Sequence, residues 1–102
     1  MKSRFHEAAD AKLAEAVAYY DGKALGLGDR FMSDVKAATR QIERHPAIAP
    51  VIEEGVRAQA LVRFPYRLMY VVEDDEIFIV AVAHQSKRPG YWVDRLRPST
   101  PG

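Results

Sequence analysis

Residues 56–92 read VRAQALVRFPYRLMYVVEDDEIFIVAVAHQSKRPGYW, and this stretch decides the fold. It carries three apolar runs, at 58–64, 66–72 and 77–83. The last two flank Glu73-Asp74-Asp75-Glu76, a polar break short enough for a hairpin. Residues 77–83, IFIVAVA, include no polar side chain. A strand apolar on both faces is one that the fold covers on both sides.

Side-chain alternation then gives a register. With Asp74-Asp75 as the turn, Val72 faces Ile77, Tyr70 faces Ile79 and Leu68 faces Ala81. The other face pairs Val71 with Phe78, Met69 with Val80 and Arg67 with Val82, and His84 continues it. Arg67 and His84 are therefore predicted to be diagonal neighbours, about 5.5 to 8 Å apart along the backbone. Residues 85–92 leave at the same end and bring Lys87, Arg88, Tyr91 and Trp92 back toward Arg67. A slip of one residue would turn Arg67 to the opposite face.

Working outward, residues 7–24 space their apolar positions as a helix does: Ala9, Leu13, Ala16, Val17, Tyr20 and Ala24. Gly26 and Gly28 break that pattern. A second helix is expected over 29–44, with Phe31, Val35, Ala38 and Ile42 inward, Asp29 at its start, and Arg44 and His45 at its end. Pro46 stops it. Residues 47–55 read as a loop, and residues 1–5 as a weak edge strand. The expected fold is α+β: an N-terminal strand, an antiparallel helical hairpin, then a three-stranded antiparallel meander, with the helices packed on the sheet. One domain is expected over 1–96, with 97–102, which holds Pro98 and Pro101, as a frayed tail.

Composition narrows the chemistry. The chain has 102 residues and a formal charge of +1, so any basic surface is local. It has no cysteine, and its histidines (His6, His45, His84) are far apart without metal-ligand spacing, so no metal or cofactor is implied. No apolar run reaches spanning length and no signal-peptide core is present, so the chain reads as cytoplasmic with no membrane partner. Arg67 lies in a strand otherwise suited to burial; it reads as an anion contact or as an edge arginine whose stem covers apolar surface. Lys87 and Arg88 read as a binding pair or as solvated charge, and Tyr91 and Trp92 as a stacking platform or a tail anchor. His84 reads as a general base or as a hydrogen-bonded structural residue.

The segments RFPYRLMY (63–70) and AHQSKRPGYWVDR (83–95), with AVAYYDGKALGLGDRFMSDVKAATRQIERHP (16–46) upstream, resemble toxins of the RelE/ParE superfamily over about residues 5–95. The resemblance implies the toxin of a type II toxin–antitoxin module, with a ParD-like antitoxin as partner. RelE-like members cleave mRNA on the ribosome, and ParE-like plasmid-stabilisation members poison DNA gyrase. For the endoribonuclease branch, Arg67 matches the YR arginine, Arg88 the later arginine and Tyr91 the late tyrosine, with His84 as a further proton carrier. That branch carries lysines on the preceding strand, whereas residues 58–63 here read AQALVR, with none. The departure favours a ParE-like gyrase inhibitor acting by contact, with Arg63, Arg67, Lys87, Arg88, Tyr91 and Trp92 as the target-binding set. A non-toxic member that only binds its antitoxin is the third reading. Leu27 and Met32 are the expected antitoxin contacts, as exposed apolar positions on the helices.

Overall fold

The computed structural model describes residues 1–85. Strand β1 (Lys2–Phe5) leads into helix α1 (Glu7–Lys23). The imidazole Nδ1 of His6 accepts the Ala8 N–H at 2.9 Å and caps that helix, with Glu7 and Asp10 in its first turn and Lys23 in its last. Gly26, at φ 80°, turns the chain into α2 (Leu27–Arg44), two residues ahead of the predicted start. The backbone N–H of Gly28 reaches back to Asp21 Oδ1 at 2.9 Å, so a side chain of α1 caps α2. Helix α2 buries Gly28, Phe31, Val35, Ala38 and Ile42 along one stripe.

Strands β2 (Val51–Glu53), β3 (Val56–Ala60), β4 (Tyr66–Glu73) and β5 (Glu76–His84) follow, and the five strands form one sheet in the order β1-β5-β4-β3-β2. Strand β1 runs parallel to β5, and β2 to β5 form an antiparallel run. The expected three-stranded meander is thus one strand short. Strand β2, within the predicted loop 47–55, has three residues, all exposed, so no burial pattern marks it. Strand β3 begins two residues before the predicted run and ends at Ala60. Beyond it, Leu61 turns inward with its N–H bonded to the Tyr66 carbonyl at 2.9 Å, and Asp34 of α2 accepts the Arg63 N–H at 3.0 Å.

The hairpin turns have the handedness that strand twist requires. Glu54 and Gly55 (φ 48° and 77°), like Asp74 and Asp75 (φ 49° and 61°), sit in the left-handed region. Asp75 is an L-residue there, beside three other carboxylates in the sequence Glu73-Asp74-Asp75-Glu76. Asp75→Gly is therefore expected to stabilise the fold by roughly 0.5–1 kcal/mol, read as a raised urea midpoint at unchanged slope.

The predicted register holds near this turn: Val72 pairs with Ile77, Val71 with Phe78 and Tyr70 with Ile79. An irregularity between Met69 and Tyr70 then adds one residue to β5, so Met69 pairs with Ala81, Leu68 with Val82, Arg67 with Ala83 and Tyr66 with His84. The sheet therefore has two apolar faces of different make. The helices cover Tyr66, Leu68, Tyr70, Ile77, Ile79 and Val82. The opposite face gathers Val56, Ala58, Met69, Val80, Ala81 and Ala83, with Val71 and Phe78 beside them.

The α2–β2 connection is tied down by side chains of the sheet. The Tyr70 hydroxyl donates to the Pro46 carbonyl at 2.7 Å, and Arg57 Nη1 donates to the Ala47 and Ala49 carbonyls at 2.9 and 2.6 Å. Burial raises the Tyr70 hydroxyl above the ordinary value of 10.0, partly opposed by Arg57. Burial likewise raises Tyr20 and Tyr66. The folded state holds these protons more tightly than the unfolded chain, so their contribution is complete below pH 10 and is lost as pH rises above it. Tyr70→Phe is expected to cost about 1 kcal/mol at neutral pH through the lost bond to Pro46 and to soften the alkaline fall. Urea titrations at pH 7 and above pH 10 read both effects.

Candidate functional site

Arg67 projects from the middle of the sheet's outer face, because Tyr66 and Leu68 on either side of it point into the helix-covered core. Its cross-strand neighbours are Ala60 and Ala83, both small. The Nε of Arg67 is buried without a hydrogen-bond partner among the described residues. A buried donor of this kind leaves recognition capacity for an acceptor. Arg63 is exposed in the 61–65 connection at the same end of the hairpin, held there by the bond from its backbone to Asp34.

His84 is not part of that surface. The extra residue on β5 turns it to the helix side, where its ring meets Tyr66 edge-on with centroids 5.1 Å apart. The predicted Arg67–His84 neighbourhood is therefore corrected: a sheet separates the two side chains. The cause is the one-residue register shift between Met69 and Tyr70, which a pairing counted straight from the turn does not contain. Lys87, Arg88, Tyr91 and Trp92 lie outside the described residues. The cation on β3 is Arg57, which is committed to the carbonyls of Ala47 and Ala49. Among the described residues no group of His, Asp or Glu could hold a metal ion.

Among the described residues, two of the concavities on the helical side are lined by α1. One, of about 300 Å³, runs along α1 and α2, floored by Phe5, Leu13, Met32 and Val35 and rimmed by Lys36, Thr39 and Arg40. Met32 is half-buried in it, and Leu27 is half-buried at the start of α2, so neither is the exposed residue the sequence suggested. Met32 packs against the helix-covered core. The other, of about 520 Å³, lies between α1 and the open end of the β4–β5 hairpin. Lys12, Glu15, Tyr19, Tyr20, Tyr66 and His84 line it. The sequence reads its tyrosines as packing residues. The adjacent pair Tyr19-Tyr20 was the available signal, since neighbours on a helix differ by about 100° in direction and cannot both face the core. Tyr19 is indeed 58% exposed.

The model of a family described as the ParE toxin of the type II toxin–antitoxin system parDE matches residues 4–89. The chain belongs to the ParE toxin family. As a ParE-family chain it is a type II toxin. A solved structure described as the chromosomal ParDE toxin–antitoxin system from P. aeruginosa is similar in fold, with a TM-score of 0.61 at 21% identity over 82% of this chain and 95% of that one. No curated protein sequence matches the chain. None of the helices among the described residues is long and apolar enough to cross a membrane.

Proposed function

We propose that this ParE-family toxin inhibits DNA gyrase by protein–protein contact, with no chemistry of its own, and that a cognate ParD-like antitoxin neutralises it. Its place of action is then the cytoplasm, and residues 1–96 act as one toxin domain. The observation that carries the reading is that, among the described residues, no proton carrier shares the face of Arg67. Cleavage of RNA through its 2′-hydroxyl needs a proton acceptor and a proton donor beside the phosphate-binding cations. Strand β3 has no lysine, and His84 lies across the sheet from Arg67. Among the described residues Arg67 has no proton carrier on its face, which suits recognition rather than catalysis. Arg63 and Arg67 are the contacts proposed from the described residues, and Lys87, Arg88, Tyr91 and Trp92 those proposed from the sequence.

The test is a titration of purified gyrase with the toxin freed of any antitoxin. An inhibitor that works by contact blocks supercoiling at a toxin level comparable to that of the enzyme and does not act catalytically. Unchanged supercoiling at a large molar excess would sink the proposal.

For the antitoxin, the groove along α1 and α2 is the proposed seat. Its floor is apolar, and Lys36 and Arg40, one helical turn apart, give it a cationic rim. An amphipathic helix with acidic residues flanking its apolar stripe complements both features. Met32 then lies within the contact and Leu27 at its margin. Met32→Glu is expected to weaken capture of the co-expressed antitoxin about tenfold or more while leaving growth arrest intact. Undiminished capture would move the interface elsewhere.

A further inference from the structure

The larger cavity has a chemistry of its own. Its aromatic wall is built from Tyr19, Tyr20, Tyr66 and His84, with Tyr19 edge-on to Tyr20 at 5.3 Å and Tyr66 edge-on to His84 at 5.1 Å. Glu15 stands at its margin on α1, exposed and without an ion pair among the described residues. The tyrosine hydroxyls of this wall likewise take part in no hydrogen bond among the described residues. Glu15 is the acidic group of this lining and Lys12 its basic one. Outside the cavity lining, Lys23 Nζ lies 5.2 Å from the centre of the Tyr19 ring, a cation–aromatic contact at one of the wall's own residues. Ring faces, phenol oxygens and a carboxylate that are unpaired among the described residues form an environment in which a cation is attracted by the rings and hydrogen-bonded by the oxygens.

We propose that the cavity between α1 and the open end of the β4–β5 hairpin is a receptor for a cationic side chain, an arginine or lysine supplied by a partner protein. This site is separate from the outer face that carries Arg67, and it does not depend on the gyrase reading. A guanidinium entering it would lie against Tyr20 and Tyr66, with Glu15 accepting its hydrogen bonds. Glu15 is exposed, so changing it tests the site without threatening the fold.

The probes are Nα-acetyl-arginine amide, its neutral near-isostere Nα-acetyl-citrulline amide, and Nα-acetyl-tryptophan amide, followed by NMR on the full chain at pH 7. The arginine probe is expected to give saturable shifts confined to Tyr19, Tyr20, Tyr66, His84 and their neighbours, with the citrulline probe several-fold weaker. Glu15→Gln is expected to weaken the arginine probe roughly two- to fivefold, and Asp10→Asn, on α1 but outside the cavity lining, to leave it unchanged. Equal responses to arginine and citrulline, stronger binding of the tryptophan probe, or no shift at these residues would each overturn the proposal.

Discussion

Phe31→Ala is expected to destabilise the protein by about 3–5 kcal/mol, enough to leave the variant partly unfolded at growth temperature. Phe31 is 0% exposed and is the hub of an aromatic cluster, with Tyr20 at 5.2 Å, Phe64 at 5.1 Å and Tyr66 at 5.1 Å between ring centres. These partners come from α1, the 61–65 connection and β4, so the ring fastens both helices to the sheet. Its removal loses apolar burial, opens a cavity and cancels edge-to-face pairs worth about 0.5–1.5 kcal/mol each. For a domain of this size the midpoint of thermal unfolding should fall by at least about 12 °C. Val62→Ala, at a side chain 93% exposed, should stay within about 0.5 kcal/mol. If the two variants melted alike, the cluster would not be the centre of the core.

Gly28→Ala is expected to cost roughly 2–4 kcal/mol, a large effect for one methyl group. A Cβ at Gly28 would lie 2.5 Å from Asp21 Oδ1 and 2.7 Å from the Val17 carbonyl oxygen. Asp21 can swing away only by giving up its bond to the Gly28 N–H, and the Val17 oxygen is backbone, so α1 itself must shift. The close approach of the two helices therefore depends on the missing side chain rather than on a special φ at this position. Chemical denaturation of Gly28→Ala, Asp21→Ala and the double variant separates the causes. The double variant should remain less stable than Asp21→Ala alone, because the clash with Val17 persists. A double variant equal to Asp21→Ala would place the whole effect in the cap.

Much of this architecture is legible in the chain because its signals are long and strongly patterned. Helix α2 shows an uninterrupted stripe from Phe31 to Ile42, and the acidic turn at Asp74-Asp75 separates two apolar runs. The family motifs in residues 16–46 and 63–70 point to the same fold. Strand β2 was hidden because Val51, Ile52 and Glu53 lie on an exposed edge, where nothing imposes alternation. The extra residue on β5 was hidden for the opposite reason. Residues 77–83 are apolar throughout, so shifting one of them between faces leaves the pattern unchanged. That single residue moved His84 away from Arg67, and with it the most attractive catalytic pairing. Met32 and Leu27 looked exposed because helical spacing alone does not reveal how much of a side chain the neighbouring helix covers.

The central claim, a toxin that acts by contact and not by cleavage, is tested most directly by one paired measurement on the purified, antitoxin-free protein. One half follows supercoiling and cleavage-complex formation by gyrase, and the other follows mRNA cutting on translating ribosomes. The expected result is gyrase inhibition with intact mRNA, with the inhibition weakened by Arg67→Ala. Cut mRNA with unaffected gyrase would contradict the account, because it would require a proton carrier working beside Arg67 from somewhere other than His84.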